Sequence, residues 1–178
     1  MQIFIVIALL LFGCSEEKTT YLENDSWEGK MMILEEFPEH TREIVYAMHA
    51  ELDIPLIYLY RLCYLESRLG ELKGTTDLGF MQLNKKYIPY FVDEYWVYEQ
   101  EFNVWDDCHN IIIGCSILKN EYNYFQNWEY AFRAYNCGRA KVIRDEEPPR
   151  SIEYGRIVMY GKSEGAKYLK ETAKGLVY

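Results

Sequence analysis

A stripe of apolar side chains that ends in one acid constrains this chain more than any other feature of it. Between Pro55 and Leu69, the residues Leu59, Leu62, Cys63 and Glu66 stand at i, i+3, i+4 and i+7. That spacing puts all four on one face of a helix. The helix starts at Asp53 with Pro55 just inside, and it runs to a stop at Gly70. A carboxyl at the C-terminal end of a core-facing stripe, beside a Gly-rich loop, is partly desolvated, so its pKa rises and it holds its proton near neutral pH. A protonated carboxyl at a cleft edge suits a general acid that protonates a leaving oxygen. Periodicity alone leaves two other outcomes open: Glu66 capped by Arg61 or Arg68, or turned to solvent.

Helical spacing recurs along most of the chain. Pro38 and Glu39 open a segment to about Glu51, with Ile44, Met48 and Leu52 in phase. The stretch GELKGTTDLG from Gly70 to Gly79 carries three Gly and no helical period, and reads as a loop. A short helical piece follows Asn84, interrupted by Pro89, and Tyr90–Trp105 is ambiguous. Helices are predicted over Asn110–Phe125 and Trp128–Asn136, the latter with Trp128, Ala131, Phe132 and Tyr135 on one face and Gly138 as its stop. Pro148-Pro149 breaks the chain before closing helices over Ser151–Tyr160 and Glu164–Lys174. No repeat and no Rossmann or P-loop glycine pattern is present. With 178 residues, this is one mainly α domain.

The N-terminal run MQIFIVIALLLFG is uncharged and apolar, too short for a bilayer-spanning helix but suited to the apolar region of a secretory signal. It stops at Gly13-Cys14, followed by the polar Ser15-Glu16-Glu17-Lys18. A small residue and then Cys after such a run resembles a bacterial lipoprotein lipobox. That resemblance implies a signal over 1–13 and lipidation of Cys14; the polar residues that follow read as a tether over 14–30, which leaves one domain over 31–178. A plain Sec-type signal is the other reading, and under either the chain is exported. Ser15, rather than Asp, after the Cys points to the outer membrane by the enterobacterial sorting pattern. Lys and Arg number 19 against 28 Asp and Glu, a net charge of −9 that disfavours nucleic acid as a partner. Cys63, Cys108, Cys115 and Cys137 form no CxxC pair and no Cys/His cluster, so neither a metal site nor a cofactor is expected. Buried free thiols are the simplest reading of them, and export of the chain leaves pairing open as the alternative.

Four blocks then appear in order: Glu66-Ser67; Gly79-Phe80-Met81-Gln82-Leu83-Asn84; Asn110 with Gly114; and Ala134-Tyr135-Asn136-Cys137-Gly138. Tyr154 follows in Ser151-Ile152-Glu153-Tyr154. The series resembles the lysozyme-like domain of soluble lytic transglycosylases (SLT), whose pattern is ES, GLMQ, N-x-x-x-G and AYNAG, over about Ile54 to Tyr160. The fold implied is mainly α and lysozyme-like, of the goose-type lysozyme and SLT kind. By position, Glu66 matches the catalytic acid/base, and Ser67 the partner beside it. Met81 and Gln82 match residues lining the saccharide cleft, Tyr135 and Asn136 match cleft residues opposite the acid, and Tyr154 matches a Tyr that orients it. Asn110 and Gly114 match packing positions. Phe80 stands where Leu is common and Cys137 where Ala is common, both tolerable packing changes.

The loop before Gly79 reads Gly74-Thr75-Thr76-Asp77-Leu78 and resembles the Thr-Asp-x-Gly segment of true lysozymes, in which the Asp is a second carboxylate. Two carboxylates about 5–9 Å apart would permit hydrolysis. One carboxylate with no water-activating partner suits a lytic transglycosylase, where the glycan supplies its own nucleophile. Asp77 is also well suited to be a turn residue. The resemblance makes peptidoglycan glycan strands the expected partner, in the cell envelope and beside a membrane held through the lipid anchor. Tyr87, Tyr90, Tyr95, Trp96, Tyr122, Tyr124 and Tyr130 could serve as sugar platforms, although Tyr at helical spacing usually packs in the core. A non-catalytic glycan-binding lipoprotein is the alternative of a different class.

Overall fold

The computed structural model describes residues 27–161. The apolar run 1–13, Cys14, most of the expected tether and the helix expected over Glu164–Lys174 lie outside the described residues. The described chain forms eight α-helices and one small antiparallel sheet. Helix α1 spans Trp27–Glu35, α2 Arg42–Leu52 and α3 Leu56–Ser67. Strands β1 (Asp77–Leu78) and β2 (Leu83–Asn84) pair Asp77 with Asn84 and Leu78 with Leu83. Helices α4 (Ile88–Tyr95), α5 (Asp107–Phe125), α6 (Trp128–Cys137), α7 (Arg139–Ile143) and α8 (Pro149–Tyr160) complete the chain.

The core is built where the apolar phases meet. Leu59, Leu62 and Cys63 of α3 are buried together with Ile111, Cys115 and Leu118 of α5 and Ala131 and Phe132 of α6. Helix α6 packs mainly on α5 and α8, while α3 contacts α1, α2 and α8. Burying such faces supplies most of the stability of helices this short.

Caps set several ends. The Asp106 side chain accepts from the His109 amide, so α5 begins three residues before the expected Asn110. Asn127 caps α6 in the same way, and Gly138 ends it at φ 90°. Pro89 stands in the first turn of α4 rather than interrupting a helix, since a first-turn proline gives up no intrahelical hydrogen bond. Helix α3 stops at Ser67, not Gly70, because Arg68 and Leu69 take left-handed conformations at φ 50° and 59°.

Three elements were not evident in the sequence. Helix α1 begins within the stretch assigned to the tether; its buried anchors are the adjacent pair Ile33 and Leu34, which shows no helical period. The β1–β2 hairpin has two residues per strand, too few for an alternating pattern. Helix α7 is a single five-residue turn with Val142 buried.

Candidate active site

The end of α3 presents Glu66 one residue before the helix stops, and Ser67 makes that stop. The Ser67 hydroxyl donates to the Phe80 carbonyl at 2.6 Å and accepts from the Gly70 amide at 2.8 Å. Glu66 is thus held at a junction between a rigid helix and the hairpin loop. Its residue surface is partly open while its carboxyl is enclosed.

Across the junction, the Tyr154 hydroxyl of α8 donates to Glu66 Oε1. Burial pushes the Glu66 carboxyl up from 4.5 to about 7; the Tyr154 hydrogen bond opposes this, and the nearby Asp77 charge adds to it. Tyr154 and Tyr135 are pushed well above the usual tyrosine range, first by burial and then by the Glu66 charge. Both phenols therefore keep their protons and act as donors at neutral pH.

The hairpin side is held by a chain of side-chain bonds. Tyr135 donates to the Met81 carbonyl at 2.8 Å, and the Met81 amide donates to Asn110 Oδ1 at 2.7 Å. Asn110 Nδ2 donates to the carbonyls of Leu78 and Val104, each at 3.0 Å. Two glycines make this approach possible. A Cβ on Gly79, at φ 75°, would lie 2.0 Å from Asn110 Nδ2, and one on Gly114 would lie 2.5 Å from Met81 Sδ. Gln82 Nε2 donates to the Gly79 carbonyl at 2.7 Å, which folds that side chain back on its own loop. Asp77 accepts from its cross-strand partner Asn84 at 2.7 Å. On the α6 side, Asn136 is exposed, and its Oδ1 accepts from Ser151 at 2.7 Å.

The structure thus brings Glu66, Tyr154 and Tyr135 together, with Asp77 within electrostatic reach and Gln82 on the adjoining loop. Ser67 and Met81, matched to the partner beside the acid and to the cleft lining, have side chains with no exposed surface: Ser67 is spent on bracing the loop, and Met81 fills the gap beside Gly114. The exposed aromatics also differ from the core reading, because Tyr87, Tyr90, Tyr124 and Tyr130 stand open, while Tyr95, Trp96 and Tyr122 are partly buried. Asn84 and Ser151 were assigned no role in the sequence. Ser151 was detectable only through its i, i+3 spacing to Tyr154 on a helix.

A separate groove of about 480 Å³, lined by Phe37, Arg42, Tyr60, Tyr64 and Arg68 among others, opens on nearly the opposite face of α3 and shares no residue with this cluster. Among the described residues, no group of three or more His, Cys, Asp or Glu side chains could hold a metal ion, and no helix is long and apolar enough to cross a membrane. Cys63 and Cys115 are buried free thiols, whereas Cys108 and Cys137 are free and partly exposed.

Against known proteins, the family model described as Transglycosylase SLT domain matches residues 49–155, more than half of the chain, from α2 into α8. All the site residues described above fall in that span. The match and the helical architecture together give a mainly α, lysozyme-like single domain. No curated protein and no solved structure matches the chain.

Proposed function

The chain belongs to the transglycosylase SLT domain family, enzymes that act on peptidoglycan, and on that premise we propose that it is a lytic transglycosylase that cleaves the MurNAc-β-1,4-GlcNAc bond and leaves 1,6-anhydroMurNAc ends. The observation that carries the proposal is the enclosed Glu66 carboxyl, raised to about 7 and met by the Tyr154 hydroxyl.

Glu66 gives its proton to the bridging oxygen as the glycosidic bond breaks, and the substrate N-acetyl group supports the anomeric carbon. The resulting carboxylate is held by the Tyr154 donor, a bond that strengthens on ionisation. Glu66 then takes the proton of the C6 hydroxyl as that oxygen closes the anhydro ring. The acid is regenerated and no water is consumed. Tyr135 keeps the Met81–Gln82 backbone in place across from the acid, and Asn136 offers its amide at the open edge.

A second reading is favoured by one observation, the Asp77 charge that helps raise the Glu66 pKa. In it, Asp77 serves as second carboxylate of a lysozyme-type hydrolase. Opposing it, Asp77 is tied to Asn84 as a turn and strand residue would be.

The test is mass spectrometry of peptidoglycan digested by the chain, Glu66→Gln and Asp77→Asn. Anhydro-ended products lost only in Glu66→Gln support the transglycosylase. Reducing ends lost in both variants mean the hydrolase, and glycan retained but uncut by the wild-type chain means a binding protein. The apolar run ending at Cys14 supports a lipid anchor in the cell envelope, on the outer membrane; Cys14→Ser is expected to release the chain from the membrane fraction, and unchanged fractionation would refute the anchor.

A further inference from the structure

Helix α8 meets the site at two points, and the second has no role in the reaction just described. Ser151 and Tyr154 stand at i and i+3, on one face of the helix. Tyr154 reaches Glu66 on α3, while Ser151 reaches Asn136 on α6. Ser151 has no exposed surface, and its hydroxyl donates to Asn136 Oδ1 at 2.7 Å. Helices α6 and α8 come close enough for this because Gly155 faces Arg133, where a Cβ would lie 2.7 Å from Cγ.

A side-chain amide carries an acceptor at one end and two donor hydrogens at the other. Once the Ser151 hydroxyl occupies the oxygen, the nitrogen end is turned the other way. Asn136 is exposed, and its Nδ2 has no protein partner among the described residues. We propose that Ser151 is a positioning residue that presents the Asn136 amide as a hydrogen-bond donor to an amide carbonyl oxygen of the bound glycan. The inference rests on the reading of this site as a glycan cleft, and it makes one face of α8 responsible for both the acid and an adjacent specificity donor.

The test is calorimetric titration of the full-length Glu66→Gln chain with a defined glycan strand fragment. Ser151→Ala and Asn136→Ala are each expected to weaken binding roughly three- to tenfold, the range of one lost hydrogen bond, and the double variant no more than either alone. Asn136→Asp turns an acceptor toward the ligand on an exposed side chain, so it weakens binding without touching the core; this arm holds even if Ser151→Ala does not fold. In the active chain, Ser151→Ala leaves the alkaline limb of the pH–rate profile where it was, since Tyr154 still meets Glu66. Additive losses, a shifted limb, or full binding by Asn136→Asp would overturn the proposal. Binding that responds as expected while the wild-type chain makes no anhydro product would defeat the transglycosylase reading alone. No glycan binding by Glu66→Gln would overturn the proposal, while the transglycosylase reading stands or falls on the products of the wild-type chain.

Discussion

At Glu66 two opposing effects set the proton. Burial raises the carboxyl, the Tyr154 hydroxyl lowers it by binding the charged form, and burial is the larger. Tyr154→Phe removes the lowering contribution alone. The Glu66 pKa then rises further, and because the protonated acid is the active form, the alkaline limb of the pH–rate profile moves to higher pH. A limb that moves to lower pH would show that Tyr154 does not act through this bond. The rate itself is expected to fall, because the freed carboxylate is harder to form and orient after the first step. Glu66 was legible as an acid on a core-facing stripe, because both facts depend on neighbours within two helical turns. Its partner was legible only through the family pattern, since Tyr154 lies 88 positions away and nothing local points to it.

Among the elements, the hairpin loop and α5 are held at contact distance by what α5 lacks. Gly114 faces Met81, and a methyl group there would meet Met81 Sδ at 2.5 Å and Met81 Cβ at 2.8 Å. Met81 has no exposed surface to retreat into, so Gly114→Ala forces the loop outward. The expected cost is about 1–3 kcal/mol of stability, read by denaturant unfolding, as in other overpacked cores. Activity should fall further than stability explains, because the Met81 carbonyl anchors Tyr135. An unchanged midpoint would mean that this contact relaxes freely. Long helices such as α5 and α6 were legible from their period and stop signals. Helix α1, the hairpin and α7 were not, because each is too short, or too sparsely buried, to show a period.

For the molecule as a whole, the raised Glu66 carboxyl makes stability depend on pH. The group binds a proton more tightly folded than unfolded, so between 4.5 and about 7 the folded state holds more protons. Its stabilising contribution is fully present below 4.5 and is lost as pH rises through about 7. The chain is therefore expected to be less stable at pH 8 than at pH 5, by a few kcal/mol at most, and to melt at a lower temperature there. Glu66→Gln should flatten that part of the curve and gain relative stability at the alkaline end. A wild-type curve parallel to that of Glu66→Gln across this window would contradict the raised pKa.

The sequence by itself determined the helical class, the stripe that carries Glu66 and the ordered blocks that mark the family. Each is written in spacings of a few residues, where helix geometry turns position directly into direction. Only the tertiary structure decided which matched residues are open to a ligand. It buried Ser67 and Met81 as braces, tied Asp77 to Asn84, and set Tyr154 and Ser151 on one face of α8 against Glu66 and Asn136. Those outcomes depend on contacts between segments distant along the chain, which arise from how the helices pack and not from any local pattern.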